Sequence, residues 1–328
     1  MKSIQKLIGA RRNEIKGLAI LWVVFFHAQL GLNGLLYDVQ KIGYGGVDMF
    51  LFLSGFGLYH SLAKDNDTGR YLARRAVRLL PAYLPFCLVW LGVMLPLFGG
   101  GTATSARIAF GNLFMLGFFA DVPHMINWYV SVMALTMLLA PLFYAWMNGG
   151  EKRLLRVAAL LFICFAIGLA YIGNDQYMAI SRLTVFALGM AFAMPWKKDG
   201  KWFVPVLALS GVAGLAVVYL CFARFPELLN DYAMYWHPFA AAAPALCAGL
   251  GWLFARLPAA ISRAFALLGR ASFEIFLFNV WAEVLGKKFG LAKTPAQWAL
   301  LSLCTMVLGI GYHWMIGKIV RKVVDKKA

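Results

Sequence analysis

His27 is the first residue that could do chemistry. It follows Lys16 by eleven positions in a run of apolar side chains. Eleven residues of α-helix advance three turns plus about 20°, so the two side chains point the same way, roughly 16 Å apart along the axis. Lys16 falls at the membrane boundary and His27 near the midplane. An imidazole there can take a proton from a substrate or bond a neighbouring helix. Asp48 is second. It lies about five residues, or ~8 Å, into the next apolar stretch, entered from the other side. If those two stretches pack as neighbours, its carboxylate can reach His27, fix the ring's tautomer and raise its basicity. Otherwise it is an interfacial, water-exposed acid.

The segment RYLARRAVR, residues 70–78, is third. Arg75 and Arg78 are three apart and share a helix face. Forked guanidinium groups suit phosphate oxygens, although the same residues also fit ordinary cytoplasmic charge bias. Gly45, Gly46 and Gly55 in GGVDMFLFLSGF allow close backbone approach, and Ser54 reads as packing. Trp128 and Tyr129 open an apolar segment at its outer end, as an interfacial belt. His124, just before them, reads as solvated. Glu274, Asn279 and Glu283 share one segment, where they are expected to face a similar side and to line a cavity or pair with Arg182. A buried Arg182 needs such a partner.

These groups must be positioned by membrane helices. The chain has 328 residues, 62% of them hydrophobic and 14% charged, with mean hydropathy +0.73. Its apolar runs have the length needed to cross about 30 Å of hydrocarbon. Spans are expected at 17–35, 43–62, 79–98, 127–147, 153–172, 178–195, 202–222, 238–256, 268–286 and 296–317. Residues 107–120 make a shorter run that suits a re-entrant or interfacial helix. The fold class is therefore all-α, a polytopic bundle of about ten transmembrane helices, read as one domain over residues 1–328.

The net charge of +17 needs no nucleic acid in such a protein. Basic residues gather in cytoplasmic loops. With a cytoplasmic N-terminus and 107–120 not crossing, twenty-four of the 31 Lys and Arg fall inside, six outside and Arg182 within a span. Both termini are then cytoplasmic. The basic N-terminal segment is read as leading into a retained first helix rather than a cleaved signal. The five cysteines are unpaired core residues, and no metal site is expected. The outer loop 223–237 could cap a cavity.

Several of these segments together resemble the acyltransferase 3 family of bacterial integral membrane acyltransferases. Lys16-x10-His27 resembles that family's basic-x10-His signature. Residues 45–56 resemble its G-V-D-x-F-F-x-x-S-G-F helix, and residues 74–85 (RRAVRLLPAYLP) its R-x-x-R-x-x-P junction. Asn127 to Pro141 resemble its Trp-Tyr motif, and residues 269–279 (GRASFEIFLFN) its G-x-x-S-Y-x-I-Y-L-x-H helix. Glu14 stands for a usual Asp, Lys16 for Arg, Phe273 for Tyr and Asn279 for His, and Ala134 lies near a position where many members carry Glu.

The resemblance implies a membrane-bound O-acyltransferase, acetyl being the expected group. It would move that group from cytoplasmic acetyl-CoA, a co-substrate, to a hydroxyl of a sugar, glycan or lipid-linked sugar. His27 and Asp48 would be catalytic, with His27 preferred as general base over acyl carrier. Lys16, Arg75 and Arg78 would hold the donor's phosphates. Trp128, Tyr129, Glu274 and Asn279 would line the acceptor side. The expected setting is the bacterial cytoplasmic (inner) membrane, with the lipid bilayer, acyl-CoA and acceptor as partners and no nucleic acid. The competing reading is a proton-coupled transporter or flippase using His27, Asp48 and Arg182 as a relay, against which no matched pair of broken helices is evident. An inactive family scaffold is a third reading.

Overall fold

The computed structural model describes residues 2–98, 101–196, 202–225, 228 and 237–325. The chain is 81% helical, with no strand among the described residues. The helices in chain order are α1 (Lys2–Ala10), α2 (Arg12–His27), α3 (Gly34–Lys41), α4 (Gly45–Lys64), α5 (Thr68–Phe98), α6 (Thr102–Leu113), α7 (Trp128–Asn148) and α8 (Arg153–Ala170). There follow α9 (Tyr177–Ile180), α10 (Leu183–Ala193), α11 (Phe203–Arg224), α12 (His237–Phe254), α13 (Ala259–Arg270) and α14 (Ser272–Glu283). A π-helical turn, Val284–Lys288, leads to α15 (Pro295–Asp325). Most of the 223–237 segment (226, 227 and 229–236) lies outside the described residues.

A helical segment occupies each of the ten expected spans. By length and hydropathy alone, six helices can cross a membrane: Thr68–Leu97, Trp128–Asn148, Arg153–Ala170, Phe203–Phe222, His237–Phe254 and Pro295–Arg321. A seventh arises if α13 and the helix from Ser272 to Lys288 count as one broken span. The other three segments fall short for separate reasons. α2 stops after 16 residues. α4 has 20 residues but carries glycines, Asp48 and His60. The stretch from Tyr177 is divided at Ser181 and Arg182 into α9 and α10. Breaks at Arg182 and at Ala271 are thus present where the sequence showed none. In the 107–120 region, α6 is a 12-residue helix.

The chain packs as two compact units interleaved in sequence. The first comprises residues 1–26, 34–68 and 136–270, and the second 27–33, 69–135 and 271–328. In the first unit, glycines set the helix spacing. Gly55 of α4 lies against the Phe186 carbonyl of α10, and Gly189 of α10 against the Phe52 backbone of α4, so neither position has room for a Cβ. Gly46 likewise abuts the Ala19 carbonyl of α2. The small residues expected to permit close approach do so. Glu14 anchors the start of α2, accepting bonds from Arg11 Nη1 (3.1 Å) and from Ser262 Oγ of α13 (3.0 Å).

In the second unit an aromatic seam joins α5, α14 and α15. Phe86 meets Phe278 at 5.3 Å, Trp90 meets Trp281 at 5.6 Å and Phe278 meets Tyr312 at 5.7 Å between ring centroids. Such edge-on aromatic pairs each add about 0.5–1.5 kcal/mol beyond their buried area. Residues 114–127 form a tight loop with positive φ at Met115, Asp121 and His124. Side chains on three sides hold it. Arg107 donates to the carbonyls of Ala120 (2.7 Å) and Asp121 (2.9 Å), Asn112 Oδ1 accepts from Ile126 N (2.7 Å), and Trp90 Nε1 donates to His124 O (3.0 Å). The backbone of His124 is therefore tied in, while its side chain stays partly exposed.

Candidate active site

His27 is the last residue of α2 rather than a mid-helix residue, and its side chain is 26% exposed. The helix stops because the chain turns away through Gly31 and Gly34, both at φ near +60°, a conformation glycine adopts without strain. One carbonyl at the open end of α2 is satisfied from the next helix. Gln40 Nε2 donates to the Phe25 carbonyl at 2.7 Å, and Trp22 Nε1 donates back to Val39 O at 2.8 Å. Those bonds fix the turn that presents the imidazole.

Nδ1 of His27 lies 3.4 Å from Oε2 of Glu283. Oε1 of the same carboxylate accepts from Lys287 Nζ at 2.7 Å. Glu283 closes α14, and the following π-turn carries Lys287. Single π-turns within helices recur at functional sites. An acid at Nδ1 favours the tautomer with its proton there and directs the Nε2 lone pair outward. The distance is long for a hydrogen bond, as is common before substrate closes a site.

The acid beside His27 is thus Glu283, where Asp48 was expected. Asp48 is fully buried, and its Oδ1 accepts from Arg182 Nε at 3.2 Å. Arg182, also buried, donates from Nη1 to Met178 O at 2.6 Å. This pair supplies the partner Arg182 required, which had been sought among Glu274, Asn279 and Glu283. Those three do not share a side. Nine residues separate Glu274 from Glu283, about two and a half turns, so their side chains leave α14 in opposite directions. Glu274 Oε1 meets His313 Nδ1 of α15 at 3.0 Å, while Glu283 meets His27. Asn279 is buried.

The remaining expected residues fall as follows. Lys16 is half-buried on α2, eleven residues before His27. Arg75 is half-buried, with its guanidinium carbon 5.7 Å from the Tyr71 ring centroid, and Arg78 is exposed. Arg75, Arg78, Ala82 and Phe86 follow at three- and four-residue steps, one face of α5. That face is fixed by Tyr312, whose hydroxyl donates to Ala82 O at 2.8 Å, and by the Phe86–Phe278 contact. Asn127 caps α7, its Oδ1 accepting from Tyr129 N at 2.8 Å. Tyr129 is buried against Phe276, with centroids 4.9 Å apart, and Trp128 stands beside Phe118. Phe276 precedes Glu283 by seven residues, so this aromatic pair lies on the face of α14 that presents Glu283, about 10 Å away along the axis.

Sequence reading missed His313 and misplaced Glu283. Both left a signal. A histidine in an apolar helix is costly enough to invite a named partner, and Glu283–Lys287 is an i,i+4 pair. Four of the five cysteines are buried and all are free thiols. Among the described residues no group of three or more His, Cys, Asp or Glu is placed to hold a metal.

A multi-pass helical membrane protein with a histidine–carboxylate pair at the end of its first long helix is the class these features define. A family model described as an acyltransferase domain matches residues 14–314, and the chain belongs to that family, acyltransferase 3. No curated protein and no solved structure matches it. The protein is a membrane acyltransferase in that general sense.

Proposed function

We propose that this acyltransferase moves an acetyl group from cytoplasmic acetyl-CoA to a hydroxyl of a sugar or lipid-linked glycan. Its setting is the bacterial cytoplasmic membrane, with both termini inside. The observation that carries the reading is the His27–Glu283 pair. Glu283 holds Nδ1, and Nε2 takes the proton of the acceptor hydroxyl. The oxygen attacks the thioester carbonyl, the tetrahedral adduct collapses, the C–S bond breaks, and the CoA thiolate receives the proton from His27. Arg75 and Arg78, on one face of α5, bind the donor's phosphates. Trp128, Tyr129 and Asn279 serve the acceptor side. Asp48 is assigned here to holding Arg182 rather than to proton transfer, and Glu274 to holding His313.

The test is radiolabelled acetyl-CoA supplied to purified protein, with transfer and thioester hydrolysis both counted. Wild type releases free CoA, and His27→Ala loses about 10²- to 10⁴-fold, the usual worth of a general base. A wild-type protein that neither transfers nor hydrolyses while still moving a glycan across vesicles is a carrier. Unchanged turnover in His27→Ala removes His27 from the mechanism.

A further inference from the structure

The loop between α7 and α8 forms a cleft of about 620 Å³ lined by Trp146, Glu151, Lys152, Leu155, Arg156 and Ala159. It belongs entirely to the first unit. One wall is a locked corner. Trp146 Nε1 donates to Arg156 O at 2.9 Å, Arg156 Nη1 donates back to Trp146 O at 3.5 Å, and the guanidinium carbon sits 5.8 Å from the Trp146 ring centroid. That bond to Trp146 O uses one of the five N–H donors of Arg156 and leaves others for an anion. Lys152 has no ion pair among the described residues. The opposite wall, Leu155 and Ala159, is apolar and continues an outward flank on which Leu154, Leu155 and Phe162 are 71%, 62% and 70% exposed. α8 is one of the helices apolar and long enough to cross the membrane, so this flank meets acyl chains.

We propose that the cleft binds an anionic phospholipid of the surrounding bilayer, phosphatidylglycerol in chemistry. Lys152 and Arg156 take the headgroup phosphate, Trp146 stands at the interfacial level usual for that ring, and an acyl chain lies over Leu155 and Ala159. Glu151 accepts from the glycerol hydroxyls. Two cations against one acid leave the cleft with a charge of +1, complementary to a lipid of net charge −1. A free phosphate ion would gain nothing from the apolar wall and would face Glu151 without a hydroxyl to offer it.

The experiment is native mass spectrometry of the full-length protein, stripped of lipid in detergent. It is titrated in parallel with phosphatidylglycerol, phosphatidylethanolamine, phosphatidylcholine and inorganic phosphate. Wild type is expected to take up phosphatidylglycerol about tenfold more readily than the two zwitterionic lipids, and phosphate not at all. Lys152→Gln, whose side chain holds no structural bond, is expected to lose much of that preference. Lys152→Gln with Arg156→Gln should abolish it. Equal uptake of all lipids by wild type, a preference for phosphatidylethanolamine, binding of free phosphate, or a preference surviving in Lys152→Gln would each overturn the assignment.

Discussion

Oε2 of Glu283 stands 3.4 Å from Nδ1 of His27, while Oε1 of the same carboxylate holds Lys287 at 2.7 Å. With a partner on each oxygen, the carboxylate plane is fixed, and with it the ring that faces it. The amide of Glu283→Gln keeps the shape but can offer its N–H₂ to Nδ1, which selects the wrong tautomer and spoils the base. The expected result is a fall in kcat of about 10²-fold with KM for acetyl-CoA nearly unchanged, since only the proton-transfer step is touched. Steady-state kinetics on the purified variant checks it. A normal kcat would mean that some other group orients the ring.

Arg75 and Arg78 lie on one face of α5, three residues apart. Each charge-assisted hydrogen bond to phosphate contributes about 1.5–3 kcal/mol. Arg75→Ala and Arg78→Ala should therefore each raise KM for acetyl-CoA by about tenfold or more while kcat stays within about twofold. Arg78→Lys should recover only part of the loss, because an ammonium keeps the charge without the fork. A truncated thioester lacking the nucleotide is the control, and its turnover should be indifferent to all three substitutions. Equal effects on both donors would mean the arginines act through the fold.

Asp48 and Arg182 are both buried, so removing either strands the other's charge. Asp48→Asn or Arg182→Met alone should cost about 3–5 kcal/mol, whereas removing both partners together should cost much less than the sum. Thermal unfolding of the four proteins in detergent, read as a double-mutant cycle, measures the coupling. Additive losses would show that the pair is not the unit it looks. The direct readout of chemistry should follow stability here, in contrast to Glu283.

Much of the helical layout was legible because membrane spans write themselves as apolar runs, and α7, α8, α11 and α12 begin within a residue of their expected starts. The partners of the polar groups were less legible. Sequence separation says which residues share a helix face, but not which helix that face meets. Asp48 and His27 sit on helices that do pack together at Gly46 and Ala19, yet Asp48 points to α10 instead. The error over Glu274 and Glu283 was of another kind, since nine residues already imply opposite faces. The end of α2 at His27 depended on φ at Gly31 and Gly34, two of many glycines with no mark to set them apart. The breaks at Arg182 and Ala271 carry no proline or glycine of their own.

Glycines do differ once neighbours are known, which gives the sharpest contrast to test. A Cβ on Gly55 or Gly189 meets backbone of the facing helix, the Phe186 carbonyl in one case and Phe52 in the other. Backbone cannot rotate aside as a side chain can, so α4 and α10 must separate. Gly55→Val and Gly189→Val should each destabilise by at least the 1–3 kcal/mol usual for overpacking, and more if the helices part along their length. Gly92 of α5 and Gly249 of α12 have nothing within 4 Å of the same ideal position. There, alanine only restores helix propensity, and Gly92→Ala and Gly249→Ala should be neutral or stabilising by up to about 1 kcal/mol. Thermal unfolding across the four variants decides it. If all four behave alike, glycine at the α4–α10 contact is not what sets the spacing of those helices.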